Sequence, residues 1–240
     1  MKNILIILFI LITGCSTHQP VHEHKLQIKK IKEGLYKHTS YKRYDAYGWV
    51  DSNGLIVIKD KQAVIIDTPW SETETAELAQ WIETKGFTLK ASISTHFHED
   101  RTAGIAWLNK QAIPTYASEL TNNILESKNQ TKASQEFKEK KFNMFGSLLE
   151  VYFPGEGHTI DNLVVWLPDH KILFGGCLVR SLDWQSLGNA ADANVTQWAD
   201  SIRNIQNTFP SIDFIIPGHG EMGGDDILSH TIKMVNKSTK

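Results

Sequence analysis

The 240-residue chain is poor in cysteine, has no apolar run long enough to cross a bilayer and contains no block of basic residues. Its N-terminal apolar stretch, residues 4–12, covers nine positions, whereas a membrane-spanning helix needs about 20. With a formal net charge of −2 and no basic cluster, a nucleic-acid partner is not expected. No internal repeat divides the chain, and a hydrophobic share of 41% is typical of one globular domain with a sizeable core.

The N-terminal residues are predicted to be an export signal. Lys2 precedes the apolar residues 4–12, and a short apolar run behind a basic flank is typical of a secretory signal peptide. We therefore expect residues 1–14 to be a signal peptide, residues 15–26 a polar tether, and residues 27–240 a single folded domain in the periplasm.

Cys15 and Cys177 are the two cysteines of the chain, and the interpretation of one depends on the other. The stretch Ile-Thr-Gly before Cys15 resembles a bacterial lipoprotein signal, in which the cysteine receives a lipid. Ser16 in the next position resembles the lipoproteins of the outer membrane, so we expect Cys15 to anchor the chain there. Cys177 then has no disulfide partner, which leaves metal ligation or burial as a small inert side chain.

Two histidines and an aspartate alternate directly after an apolar run. His96, His98 and Asp100 follow the strand-like segment LKASIS, residues 89–94. Alternate residues of an extended segment point to one side, so these three side chains can converge on one spot. Imidazole and carboxylate are ligands of divalent cations, so the motif predicts a metal site, with a chance polar patch at a strand end as the alternative.

Three further candidate ligands occur in the same context. His158, Cys177 and His219 also come after apolar strand-like runs, beside glycines that allow tight turns. Loops at one edge of a sheet can gather reactive groups while the core stays dry, so the agreement of all six favours one shared site. A single loop histidine is more often bonded to solvent, and we interpret three others in that way: His38, His170 and His230.

The remaining pattern indicates sheets flanked by helices. Asn53-Gly54 between two strand-like runs predicts a hairpin turn. Residues 71–85 predict a helix, because Ser71 is a candidate N-cap and Glu74 completes a capping box. Strand-rich blocks, each followed by strand–helix units, suggest layered sheets with helices on their outer faces.

Four motifs, His-Phe-His-Glu-Asp-Arg, Gly-His-Thr, Gly-Gly-Cys and Gly-His, resemble in their order and spacing the metallo-β-lactamase superfamily and, more narrowly, its subclass B1. The resemblance extends over residues 27–235. It is specific, since other branches usually carry histidine and aspartate where this chain has Arg101 and Cys177. It implies an αββα sandwich, with two mixed sheets packed face to face, helices outside and a metal groove at one edge, and it makes residues 27–240 a single catalytic domain.

The resemblance also implies two zinc ions per chain, each with three protein ligands. The first set is His96, His98 and His158. The second set is Asp100, Cys177 and His219. Three protein ligands leave a position open for water or substrate, and a thiolate favours zinc over magnesium or calcium. Three further residues are implied to orient these ligands, namely Asp67, Thr95 and Arg101.

By the same resemblance the chain hydrolyses β-lactams, a small-molecule substrate class that includes penicillins, cephalosporins and carbapenems, with zinc activating the attacking water. Asp100 is implied to orient that water as well as to bind metal. Asn189 is implied to hold the substrate carbonyl, and Arg180 to pair with the substrate carboxylate. The alternative interpretations are a turn residue for Asn189 and a surface cation for Arg180.

Residues 44–53 resemble a hairpin that closes over substrate, with Tyr47 and Trp49 as apolar contacts, although Trp49 could equally be a core residue. We expect a monomer. Two rival functions stay open at this point. One is another hydrolase of the superfamily, such as a thioesterase of glyoxalase II type or a lactonase, and the other is a zinc-binding lipoprotein without catalytic activity.

Overall fold

A computed structural model describes residues 24–239. The predicted signal peptide and Cys15, the predicted site of lipid attachment, lie outside these residues. Within residues 24–239, no helix has both the length and the apolar character that crossing a membrane requires.

The first half of the chain forms a seven-stranded sheet whose strands lie side by side in chain order. The strands are β1 (Gln27–Lys32), β2 (Leu35–Tyr44), β3 (Gly48–Lys59), β4 (Gln62–Ile66), β5 (Thr88–Ile93), β6 (Thr115–Ser118) and β7 (Gln135–Phe137). Strands β1 to β4 pair antiparallel, whereas β4 to β7 pair parallel. The sheet is therefore mixed, and its parallel half brings several strand ends to one edge.

The second half forms a five-stranded sheet in the order β12-β11-β10-β9-β8. Its strands are β8 (Lys141–Met144), β9 (Leu149–Tyr152), β10 (Val164–Leu167), β11 (Ile172–Gly176) and β12 (Phe214–Pro217). Only the pair β11–β12 is parallel among these strands. This pair delivers two neighbouring loops to the same edge of the sheet.

Six helices accompany the sheets within the described residues. They are α1 (Glu72–Thr84), α2 (Glu99–Thr102), α3 (Ile105–Lys110), α4 (Glu119–Ser127), α5 (Val195–Thr208) and α6 (Asp226–Ser238). The predicted N-cap of α1 is confirmed, because the Ser71 hydroxyl accepts from the Glu74 amide; the same hydroxyl also donates to the Glu74 carboxylate.

The apolar residues separate into a core between the sheets and cores beneath the helices. The central core joins the inner faces of the two sheets, for example Leu55 and Ile66 with Val165 and Phe174. A second core packs α5 and α6 on the five-stranded sheet around the fully buried Trp198, and smaller clusters lie beneath α1 and the α3–α4 region. The predicted αββα sandwich of two mixed sheets is confirmed.

The hairpin turn predicted at Asn53-Gly54 is wrong. Both residues lie inside the long strand β3, and the chain instead turns at residues 45–47, between β2 and β3. The Asn53 side chain is buried because partners distant in sequence satisfy it: it donates to the carbonyls of Pro217 and Gly220. An Asn-Gly pair favours a turn only where no tertiary partner competes for the asparagine.

His38 is also not the solvent-bonded histidine that we predicted. It lies on β2 with 1% of its surface exposed, and its Nε2 lies 2.9 Å from the carbonyl oxygen of Asp67. Burial lowers its pKa to about 3, so the ring is neutral near neutral pH.

Candidate metal centre

Parallel strands from both sheets carry the candidate ligands to one place. The loop after β5 carries His96 and His98 and leads into α2, which carries Asp100. Strand β11 ends directly before Cys177, and β12 ends two residues before His219. The strand ends lie very close together, since a Cβ atom added to Gly218 would lie 2.8 Å from the Cys177 Sγ. Only glycine fits at that position.

His96, His98 and His158 form the first cluster. His98 Nδ1 lies 3.1 Å from His96 Nε2 and 3.1 Å from His158 Nε2. Three nitrogens that bind one zinc tetrahedrally at about 2.0–2.1 Å are separated by about 3.3–3.4 Å, so the cluster has the dimensions of a zinc site. Burial, together with neighbouring positive groups, holds the pKa values of His96 and His158 well below their usual range, which favours the neutral imidazole that a metal requires.

Asp100, Cys177 and His219 form the second cluster. The Cys177 Sγ lies 3.2 Å from His219 Nε2 and 3.5 Å from Asp100 Oδ2, and these last two atoms are 3.2 Å apart. Cys177 is a free, buried cysteine. One thiol, one carboxylate and one imidazole are a donor set that suits zinc.

The two clusters lie next to each other. His96, Asp100 and Cys177 also place their ligand atoms within 4.8 Å of one another, so the groups of one cluster reach those of the other. All six predicted ligands are therefore brought together at one edge of the sandwich.

A buried arginine holds the Asp100 carboxylate of the second cluster in place. Arg101 is fully buried and donates twice to Asp100 Oδ2, over 3.0 and 2.6 Å, and once to Asp67 Oδ2, over 3.1 Å. It also donates to the carbonyls of Asn53 and Gly218, which ties the two sheets together. Burial acts to raise the pKa of Asp100, but the charges of Arg101 and His219 prevail and hold it well below its usual range.

Asp67 completes this network on the side of the histidines. Its carboxylate accepts from the Thr95 amide at 2.7 Å and from the Thr95 hydroxyl at 2.8 Å, directly beside His96. Burial raises the pKa of Asp67 to about 6, against the opposing effect of Arg101. The three residues predicted to orient the ligands, Asp67, Thr95 and Arg101, thus lie against them.

Two outer contacts were not found from the sequence, and both fix a ring of a candidate ligand. His98 Nε2 lies 2.9 Å from Asp192 Oδ2, and His219 Nδ1 donates to the carbonyl oxygen of Asp51. Each contact places the N–H on the outer nitrogen and leaves the inner nitrogen free to bind a metal. Asp192 lies in an irregular loop and Asp51 acts through its backbone, so no sequence signal identifies either residue.

Arg180 and Asn189 lie at different depths beside the site. The Arg180 guanidinium is buried, with 3% of the residue exposed, between the rings of Trp184 and Trp198 and 3.2 Å from His158 Nδ1. Asn189 is exposed, and its side chain accepts from the amide of Ala191 in its own loop. Arg180 is therefore not a surface cation, whereas Asn189 takes part in a local turn.

Tyr47 and Trp49 lie at the tip of the β2–β3 hairpin. Tyr47 is 79% exposed and Trp49 is 49% exposed, the two highest values among the large hydrophobic residues that the structure describes. Trp49 is therefore not a core residue. The hairpin joins the site through Asp51, which binds both His219 and the Gly220 amide.

Comparison with known proteins assigns the family. The family model of the metallo-β-lactamase superfamily matches residues 47–219. A metallo-β-lactamase type 2 of Pseudomonas aeruginosa is 40% identical over 215 residues, covering 90% of this chain and 86% of that protein. The structure of TMB-1 is 48% identical with a TM-score of 0.88, covering 90% of this chain and 99% of that one. A crystal structure of the DIM-1 metallo-β-lactamase exposed to ceftazidime is 47% identical with a TM-score of 0.88, covering 89% and 98%.

The sandwich with a histidine-rich edge defines a metal-dependent hydrolase fold, and the chain belongs to the metallo-β-lactamase superfamily. Within it, the chain belongs to the type 2 enzymes, the subclass B1 that its motifs predicted.

Proposed function

We propose that this chain is a zinc-dependent β-lactamase that opens the amide bond of penicillins, cephalosporins and carbapenems, with two zinc ions per chain. The observation that carries the proposal is the convergence of six buried or half-buried ligand atoms at one edge of the sandwich. The relatives named metallo-β-lactamase support the reaction, and the donor chemistry supports zinc.

Each cluster of the site would hold one ion. His96, His98 and His158 offer three neutral nitrogens, and Asp100, Cys177 and His219 offer the softer, anionic set. Bound zinc supplies Lewis-acid polarisation of a carbonyl and lowers the pKa of water toward neutrality.

The chain's own residues position the reactants. Asp100, held in place by two hydrogen bonds from Arg101, presents a fixed carboxylate that orients the attacking water. Asn189 would hold the substrate carbonyl from its exposed loop, because the amide of its side chain offers N–H donors. Because the β2–β3 hairpin lies beside the ligands, Tyr47 and Trp49 would cover the apolar part of a substrate and exclude water.

Arg180 would pair with the substrate carboxylate, and the packing of its guanidinium limits which of its atoms can do so. The Trp184 and Trp198 rings lie over its guanidinium, so substrate pairing must use the N–H groups at the guanidinium edge. The buried guanidinium also contacts the His158 ring, with Nη2 lying 3.2 Å from His158 Nδ1.

Hydrolysis of a carbapenem by the purified protein tests the proposed function. We expect turnover that a chelator abolishes and added zinc restores, and no comparable turnover of a thioester. Thioester cleavage without β-lactam cleavage would instead assign a glyoxalase II type of activity. Coordinated metal without turnover of either substrate would indicate a zinc-binding lipoprotein.

The proposed location is the periplasmic side of the outer membrane, with a monomeric enzyme held by lipid on Cys15. The lipoprotein-like stretch before Cys15 supports this proposal. Cys15→Ala should move the protein from the membrane to the soluble fraction, and fractionation identical to that of the native chain would contradict lipid attachment.

A further inference from the structure

His24 lies outside the metal centre and contacts the β2–β3 hairpin. Its imidazole stacks on the Trp49 indole with ring centroids 4.2 Å apart and an interplanar angle of 7°. The same ring meets Tyr41 edge-on at 5.4 Å. One histidine of the N-terminal segment thus touches two aromatic residues of the β2–β3 hairpin.

The register of the hairpin places both partners on one face. Tyr41 is directly opposite Asp51, and Arg43 is directly opposite Trp49. Directly opposed residues share a face of a sheet, as do alternate residues of one strand, so Tyr41 and Trp49 form a diagonal pair. His24 bridges this diagonal.

The residues that follow His24 are attached to the seven-stranded sheet. Leu26 packs against the cluster beneath α1, and Gln27 begins β1 opposite Thr39 of β2. The imidazole is therefore delivered to the hairpin by a chain segment that is itself attached to the sheet.

The stack covers one face of the indole, and about half of the Trp49 surface stays exposed. Parallel rings at 4.2 Å exclude solvent between them, yet Trp49 keeps 49% of its surface exposed. Trp49 is two residues from Asp51, whose carbonyl and carboxylate bind His219 and Gly220. Trp49 therefore lies on the strand that contacts the metal centre, with His24 against one face of its ring.

We infer that His24 is a positioning residue for substrate binding, which fixes the Trp49 indole so that its free face meets the apolar groups of the substrate. The role toward substrate rests on the proposed β-lactamase function. The support of the hairpin does not, because it follows from the ring contacts alone.

His24→Ala, made in the full chain, tests this inference with two readouts. Amide hydrogen exchange of residues 45–50, measured without substrate, should become several-fold faster because the tip loses its support. The KM for β-lactams should rise about two- to tenfold, the range that one aromatic stack accounts for, while kcat changes less than about twofold.

Two further variants make the result specific. His24→Phe keeps a flat ring, so we expect it to restore slow exchange and a low KM. His170→Ala is the matched control, because His170 lies in the turn before β11, by the opposite end of β2, and it should change neither readout.

Four outcomes would overturn the inference. The first is that hydrogen exchange and KM stay unchanged in His24→Ala, and the second is a lower KM in that variant, which would mean that His24 obstructs substrate binding. The third is that His24→Phe restores neither readout, and the fourth is that His170→Ala changes both readouts as much as His24→Ala does. If the native chain cleaves no β-lactam, the proposed function fails and the exchange measurement alone decides on the support of the hairpin.

Discussion

Replacing Arg101 with methionine removes the positive charge that two buried carboxylates share. Arg101 has no exposed surface, and its five hydrogen bonds reach Asp100, Asp67 and two backbone carbonyls, that of Asn53 in β3 and that of Gly218 after β12. Methionine keeps most of the length and apolar packing of the side chain but leaves Asp67 buried without a counter-charge and Asp100 with only that of His219. Loss of one partner of a buried ion pair costs about 3–5 kcal/mol, so we expect Arg101→Met to lose about that much stability.

Denaturant unfolding in the presence of a chelator measures this loss without a contribution from bound metal. In a domain of this size the change corresponds to a fall in Tm of about 10 °C. Arg203→Met is the matched control, because Arg203 forms an exposed ion pair with Asp200 and should lose no more than about 1 kcal/mol.

A second substitution separates lost charge from lost packing. Asp67→Asn should destabilise the native chain, since it disrupts the bonds to Arg101 and Thr95, but in the Arg101→Met background it removes an unpaired carboxylate. There it should recover about 1–3 kcal/mol at a pH that ionises Asp67, which must lie well above the native Asp67 pKa of about 6 because the loss of Arg101 raises that pKa further. A loss below about 1 kcal/mol for Arg101→Met, or the same sign for Asp67→Asn in both backgrounds, would refute the reasoning.

Three other predictions concern residues around the site. Asp192→Ala should weaken zinc binding about 10- to 100-fold in competition with a chromophoric chelator, because His98 loses the carboxylate that orients its ring, and unchanged affinity would remove that role. Arg180→Ala should mainly raise KM for carboxylate-bearing substrates, whereas an unchanged KM would leave Arg180 only its packing between two tryptophans. Because burial lowers the pKa of His38 to about 3 while the unfolded chain titrates near 6.5, His38 lowers stability as pH falls below about 6.5, by about 1.4 kcal/mol per pH unit. His38→Gln should reduce that slope in pH-dependent unfolding, and an identical slope would assign the acid sensitivity to other groups.

Local signals located the elements that local interactions stabilise. The capping box of Ser71 and Glu74 predicts the start of α1 because both partners lie within four residues. Asn53 was assigned wrongly for the opposite reason, since its side chain bonds to Pro217 and Gly220, more than 160 positions away. No local pattern contains such a partner.

The candidate ligands could be predicted because each follows a strand, and strand ends meet at the edge of a sheet. Their separation into two clusters came from the family resemblance, and the distances around His98 and Cys177 agree with it. Asp192 and His24 could not be predicted in this way. Neither follows a strand, and their contacts with His98 and Trp49 depend on how distant loops fold together.

Zinc content per chain, measured by elemental analysis of the native protein and of Cys177→Ser, tests the central claim most directly. Two distinct sites predict about two zinc ions in the native chain and about one in Cys177→Ser, with the histidine cluster still loaded. A native chain with a single ion, or a Cys177→Ser variant that retains two, would contradict the account.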